Sequence, residues 1–370
     1  MRTTRGRVVH VESLAEFDRR LAAGAATLSG WRVYGVDLTG RGADLERCRV
    51  AGAAFLGCAF ADGVAAEVEA AGGLLLPAAS GTPVDVGRTS LYSPAELYDD
   101  AAYPRCLDAR AYAWAERPTD PHATLARALH DHAIDAALGA WTADRDLVGV
   151  MGGHAARRGD AAYAHAARLG HLLAAGHVVA TGGGPGAMEA ANLGAWLARR
   201  PDGDLDEAVS MLGDVPSFQP SIQDWAATAW AVRDRFPDGG ESLGIPTWHY
   251  GHEPPNLFAT AIAKYFHDAA REAILLQVCD AGIVFLPGAA GTVQEVFQDA
   301  CENYYADEAS LAPMVLVGAS YWTEELPVWP LLQALARGRP MESRVHLVDT
   351  VEEAAALVGL GPAARVPDDR

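Results

Sequence analysis

Two glycine-rich turns constrain this chain more than any other feature. Each follows a short apolar run, and each leads into a helical pattern with a glutamate close to its start. The first is Val178-Val179-Ala180-Thr181-Gly182-Gly183-Gly184-Pro185-Gly186-Ala187-Met188-Glu189. The second is Ile283-Val284-Phe285-Leu286-Pro287-Gly288-Ala289-Ala290-Gly291-Thr292-Val293-Gln294-Glu295. Glycine lets backbone amides come close to an anion, and a helix N-terminus adds partial positive charge at the same place. Apolar strands alternating with helices require a parallel sheet covered on both faces. In such sheets a ligand sits at the carboxyl ends of the strands, where both turns fall. A pocket for a phosphorylated small molecule is the expectation.

The wider pattern agrees. Residues 147–151 read as a buried strand ending at Gly152-Gly153, 160–175 as a helix and 177–180 as a second strand, followed by the first turn and a helix to about residue 199. The stretch 201–240 is rich in Pro, Gly and Asp and breaks the rhythm, although Trp225 and Trp230 fall in a helical segment. The spacing predicts one long helix over 258–278, a strand over 282–286, a helix through Tyr304, and strands at 314–317 and 345–348. The predicted fold class is therefore α/β: a Rossmann-like doubly wound parallel sheet with helices on both faces, plus an N-terminal α+β extension. That extension, 1–115, reads as short strands (Arg32–Val36, Ala53–Gly57, Gly73–Leu76) mixed with helices such as Ser13–Ala22. It shows no chemical constellation and no repeat. Residues 116–121 read as a linker or a helix start, before a second domain over 118–360.

At 370 residues the chain has room for two domains. Its net charge of −19 excludes nucleic acid as an expected partner, because phosphate-backbone binding needs a basic surface. No apolar run has the length of a membrane span, and no apolar stretch follows the basic N-terminus as in a secretory signal. The five cysteines are odd in number and lack CxxC spacing, which points to a cytoplasmic protein without a disulfide framework or structural zinc. No metal and no cofactor are predicted.

Several residues admit two readings. Thr292-Val293-Gln294-Glu295 has the spacing of a capping box, but the glycines before it exceed what a cap needs. Glu189 in a first helical turn offsets the helix dipole with or without a chemical duty. The dinucleotide fingerprint G-x-G-x-x-G is not met, since Ala187 stands at its last position, and Asp202 and Asp204 lie in a broken loop. The Walker lysine is missing. Lys264, the only lysine, falls inside the predicted long helix and has no Schiff-base context. His249-Tyr250-Gly251-His252 reads as loop histidines rather than a metal pair. Arg271, on the same predicted helix, has a rim charge as its ordinary role.

Taken together, residues 147–318 resemble the LOG family, the cytokinin-activating phosphoribohydrolases, whose signatures are Gly-Gly-Gly-x-x-Gly and Pro-Gly-Gly-x-Gly-Thr-x-x-Glu. The two turns match these, with Ala289 in place of a motif glycine and Glu272 in place of the lysine that usually follows the arginine. Arg271 and Asp280 keep the family's arginine-to-aspartate spacing. The extra N-terminal region and Glu253-Pro254-Pro255-Asn256 are closer to the larger bacterial nucleotide 5'-monophosphate nucleosidases of the superfamily. The resemblance implies Arg271 and Glu295 as the catalytic pair. It implies substrate binding by Gly152, Gly153, Gly182, Gly183, Gly184, Gly186, Met188, Glu189, Gly288, Gly291 and Thr292. The implied reaction is hydrolysis of a nucleoside 5'-monophosphate to free base and ribose 5-phosphate, in a homodimer or higher homo-oligomer. The same fold also serves as a non-catalytic carrier of nucleotides or phosphorylated cofactors, as in the molybdenum-cofactor carrier relatives.

Overall fold

The computed structural model describes residues 8–78, 81–118, 120–249 and 253–358. The basic N-terminus, Tyr250–His252 and residues 359–360 lie outside the described residues, as does the Glu272 side chain. The chain divides into two compact units, one of 1–89 with 118–130 and one of 90–117 with 131–370. The division thus falls near residue 90, and segment 90–117 goes with the second unit.

The first unit is built from β1 (Val9–Val11), α1 (Leu14–Ala22), β2 (Trp31–Tyr34), α2 (Gly42–Arg47), β3 (Ala54–Leu56), α3 (Val64–Ala70) and β4 (Leu74–Leu76). All strand pairs are parallel, in the order β1-β2-β3-β4. Val9 pairs with Trp31, Arg32 with Ala54 and Ala54 with Leu74, so successive strands are offset by 22, 22 and 20 residues. This is a solenoid-like stack of strand–helix repeats, and it corrects the expectation of no internal repeat. The repeat is carried by backbone. Gly30, Gly52 and Gly72 all have φ between +81° and +87°, and the amide of each of the first two donates to the next one's carbonyl. L side chains are disfavoured at such φ values, which fixes glycine there. Val11, Val33 and Phe55 stack in register across the strands and are fully buried. The side chains between these anchors vary too much for the period to stand out in sequence.

The second unit opens with α4 (Pro94–Leu97), α5 (Leu107–Ala115) and the C-terminal part of α6 (Pro121–Thr142). Its main body follows: β5 (Leu147–Met151), α7 (Ala161–Leu173), β6 (Val178–Thr181), α8 (Ala187–Trp196), α9 (Asp202–Gly213), α10 (Ile222–Arg235), β7 (Ser242–Gly244), β8 (Ala261–Ile262), α11 (Asp268–Val278), β9 (Gly282–Phe285), α12 (Ala290–Tyr305), β10 (Met314–Val317), α13 (Val328–Ala336), β11 (Val345–Val348) and α14 (Val351–Val358). The seven strands form one parallel sheet, β11-β10-β9-β5-β6-β7-β8. From β5 the chain winds outward to β8, then returns to the other side of β5 and winds outward again through β11. The reversal lies between β5 and β9, and a doubly wound sheet opens its ligand crevice at such a point.

Alanine-rich helices allow the layers to close tightly. A Cβ on Gly170 of α7 would lie 2.7 Å from the Ala191 carbonyl carbon of α8, so the two helices meet almost backbone to backbone. Around them Val148, Tyr163, Leu193, Trp225 and Val284 form a continuous core.

Three sequence expectations change. The stretch 201–240 holds two regular helices, α9 and α10, and Asp202 and Asp204 occupy the first turn of α9 instead of a loop. The predicted helix 258–278 exists only from Asp268. Residues 258–267 are extended because the sheet edge takes their backbone: Thr260 N–H donates to the Ser242 carbonyl (3.1 Å), Ala263 N–H to Gly244 (2.9 Å) and Tyr265 N–H to Pro246 (3.0 Å). Asp131 then ends this extended run by accepting from the Phe266 and His267 amides, both at 3.0 Å. Lys264 is therefore not helical. It is buried, and its Nζ donates to Asp108 Oδ1 (2.6 Å), which also accepts from Trp248 Nε1 (2.8 Å). Burial outweighs Asp108 and moves the Lys264 ammonium below the usual lysine range.

Candidate functional site

Three loops meet at the carboxyl ends of β5, β6 and β9. The loop after β5 lies between the two glycine turns. Gly153 N–H donates to the Pro287 carbonyl (3.3 Å), and the Gly153 carbonyl accepts from the Ala187 amide (3.2 Å) that opens α8. Gly152 fits beside both: a Cβ there would lie 3.0 Å from Ala187 Cβ and 3.1 Å from Leu286 Cβ.

The first turn is held by buried polar side chains. Gly183 N–H donates to Thr181 Oγ1 (3.0 Å), and Thr181 Oγ1 donates to Asn192 Oδ1 (2.7 Å). Asn256 completes the clamp. Its amide donates to the Gly183 carbonyl (2.8 Å), and its Nδ2 donates to the Gly184 carbonyl (3.2 Å) and to Asn192 Oδ1 (2.9 Å). Two of the four glycines are fixed by conformation. Gly183 has φ +73°, with Pro246 Cδ 2.7 Å from its Cβ position. Gly186 has φ +77°, with the His154 carbonyl at the same distance. Gly182 and Gly184 are kept small by Met188, whose Sδ and Cε lie 2.8 and 3.0 Å from their respective Cβ positions. Met188 therefore supports the turn from beneath.

Glu189 serves structure here. It is fully buried, and its Oε2 accepts from Arg158 Nε (3.0 Å), with a second bond between Oε1 and Nη2. Arg158 is fixed in turn by Thr228 Oγ1 (2.7 Å) and the Trp225 carbonyl (2.9 Å), and its guanidinium lies 4.5 Å from the Trp225 ring centre.

The second turn differs from the capping-box reading. Ala289 is the N-cap and α12 begins at Ala290, so Thr292 lies within the first helical turn and makes no cap. The buried Thr292 hydroxyl packs against Gly288, where a Cβ would strike it. The Gly288 carbonyl accepts from Tyr321 Oη (2.8 Å). Ala289 has φ −90° and ψ −143°, so no positive φ requires the motif glycine at this position. The amides of Ala290, Gly291 and Thr292 have no intrahelical partner by position, and Ala290 and Gly291 are exposed.

Arg271 and Glu295 meet between the turns. Arg271, in the first turn of α11, donates from Nη1 to Glu295 Oε1 (3.4 Å) on α12. The same Nη1 lies 3.6 Å from the Cβ position of Gly182, so the guanidinium reaches the first turn as well. Both side chains are mostly sequestered, at 15% and 13% exposure, and Asp268 flanks Arg271 at 3.9 Å. The structure thus brings together Arg271, Glu295, Gly152, Gly153 and both turns, while it diverts Glu189 into the buried ion pair. One helical turn along α12, Asp299 is buried with one oxygen unpartnered, and burial holds its carboxyl well above the ordinary range. The buried Cys279 thiol is likewise pushed up by burial, with Asp299 and Glu295 adding to the effect.

Sequence reasoning did not see that Asn256, Asn192 and Thr181 clamp the first turn. It gave no role to Glu253 and His154, whose Oε1 and Nδ1 lie 3.5 Å apart. Buried asparagines beside glycine runs were the available signal, but their partners lie up to 72 residues away.

Among the described residues no group of three His, Cys, Asp or Glu side chains could hold a metal ion, and no helix is long and apolar enough to cross a membrane. The five cysteines are free thiols. In class, the second unit is a parallel α/β protein with the Arg271–Glu295 pair and two glycine turns at the carboxyl ends of its strands. No family model matches the chain, and no curated protein matches it. Similar solved structures include the molybdenum cofactor binding protein from the phototrophic bacterium Rippkaea orientalis, 20% identical, covering 58% of this chain and 96% of that one, with a TM-score of 0.37. The molybdenum cofactor carrier protein from Chlamydomonas reinhardtii is 19% identical, covering 58% and 97%, with a TM-score of 0.36. At such identities residue roles must come from this chain's own geometry.

Proposed function

We propose that the second unit binds a nucleoside 5'-monophosphate and hydrolyses its N-glycosidic bond in the manner of the LOG-type phosphoribohydrolases. The observation that carries this reading is the Arg271–Glu295 pair, set between two glycine turns at the β5/β9 switch point. The free amides opening α12 suit the phosphate. Cleavage breaks the bond between the ribose anomeric carbon and the base nitrogen, whose electron pair leaves with the base. Positive charge then develops on the ribose ring, as in glycoside hydrolysis. The Glu295 carboxylate stabilises that charge and takes a proton from the water that attacks the anomeric carbon; the water's hydroxyl stays on the ribose, and its proton passes on from Glu295 to the departing base nitrogen, which restores the carboxylate. Arg271 holds the Glu295 carboxylate in place through its hydrogen bond. The cytoplasm and a homo-oligomeric state belong to the same proposal; a monomer on gel filtration at working concentration counts against the latter.

A second reading, binding without turnover, is favoured by one observation: Glu189 is sealed against Arg158, which leaves Glu295 without a second carboxylate from the first turn. The test is to incubate the full chain with AMP, GMP, CMP, UMP and isopentenyl-AMP and measure released base alongside calorimetric binding. Release that disappears in Glu295→Ala supports the hydrolase. Tight binding with no release from any nucleotide replaces it with the carrier, and no binding by any of them overturns both.

A further inference from the structure

Glu253 stands over the first glycine turn, and the reason is local. Asn256, three residues on, is buried and bonded to the Gly183 and Gly184 carbonyls, which brings the preceding chain across the turn. Glu253 Oε2 consequently lies 3.3 Å from the Cβ position of Gly184, and Oε1 lies 3.5 Å from His154 Nδ1. The carboxylate is 32% exposed, so it is accessible yet held. The buried Lys264 ammonium is close enough for the two charges to interact.

This arrangement changes what the first turn can recognise. Its Gly183 amide is taken by Thr181 and the Ala187 amide by Gly153, Glu189 is paired with Arg158, and the Glu253 carboxylate is the one that stands open beside it. An ionised carboxylate there accepts hydrogen bonds through two oxygens. Adjacent hydroxyls on a sugar supply two donors with matching spacing. We infer that Glu253 is a specificity residue that accepts hydrogen bonds from the ribose hydroxyls of the ligand, so that this site takes ribonucleotides in preference to 2'-deoxyribonucleotides. The inference rests on the nucleotide reading above. A site built to bond a hydroxyl discriminates strongly against an analogue lacking it, because its own polar group is then left unpaired.

The test is calorimetric titration of the full chain with AMP, 2'-deoxy-AMP and IMP, for wild type, Glu253→Gln and Glu253→Ala, each variant first matched to wild type by thermal melting. Wild type is expected to bind AMP and IMP alike and 2'-deoxy-AMP at least about ten-fold more weakly. Glu253→Ala is expected to lose that preference by weakening AMP alone, with Glu253→Gln intermediate. Equal loss of AMP and 2'-deoxy-AMP, or no loss of either, overturns the inference while leaving the nucleotide reading in place. A Glu253→Ala effect on AMP but not IMP assigns the carboxylate to the base amine and overturns it too. Wild type that binds none of the three overturns the nucleotide reading, and the inference falls with it.

Discussion

Arg271 Nη1 donates to Glu295 Oε1 across 3.4 Å and also reaches within 3.6 Å of the Cβ position of Gly182, so one guanidinium links the helix of the second turn to the backbone of the first. Both groups are partly exposed and neither is a core residue. Glu295→Gln and Arg271→Ala are each expected to lower base release by about 10²-fold or more, the range for losing a proton-transfer or charge-stabilising group. The melting midpoint should change little. Activity retained in Glu295→Gln, measured by base release, would remove Glu295 from the chemistry.

The Arg158–Glu189 pair should behave oppositely. Both side chains are 1% exposed, so removing either partner leaves an uncompensated buried charge. Glu189→Ala is expected to cost about 3–5 kcal/mol, while replacing both residues with apolar ones of similar volume recovers most of the loss. Urea denaturation of the single and double variants measures this. A Glu189→Ala protein as stable as wild type would show that the pair is not sealed.

Glycines of the two turns should separate into required and replaceable ones. Gly186→Ala combines φ +77° with a contact 2.7 Å from the His154 carbonyl and is expected to cost on the order of 1–3 kcal/mol or more. Gly291 has nothing within 4 Å of its Cβ position and lies inside α12, so Gly291→Ala should be neutral or stabilising by up to about 1 kcal/mol. Comparing denaturation midpoints of the two variants checks the contrast, and equal effects would contradict it.

Asp299 gives a pH signature. Its carboxyl is held well above the ordinary range by burial, so the folded state keeps the proton after the unfolded chain, near pH 3.9, has lost it. The stability tied to this group is therefore full below about pH 4 and is lost as pH rises through the folded value. Asp299→Asn stays neutral throughout. Its stability relative to wild type is expected to rise between about pH 4 and pH 7, as measured by urea denaturation across that range. A difference that stays flat with pH would mean that Asp299 is ionised in the fold.

The sequence by itself determined the class of the second unit, the strands that end in turns, and the two glycine runs, because these depend on local periodicity and on the conformational freedom of glycine. It also held three of the first unit's strands, β2, β3 and β4, legible as apolar runs beside glycines, but not β1. Tertiary structure decided the rest. Residues 258–267 have a helical pattern but become extended, because β7 and its continuation take their backbone hydrogen bonds. Thr292 to Glu295 has the spacing of a capping box, yet Gly288 and Arg271 claim the two side chains. Glu189 looks like a ligand residue until Arg158, 31 positions away, is placed beside it. The stacking of Gly30, Gly52 and Gly72 emerges only when strands 20 to 22 residues apart are aligned. In each case a long-range partner outweighed a local preference, and a one-dimensional pattern cannot show which partners the fold brings within hydrogen-bonding distance.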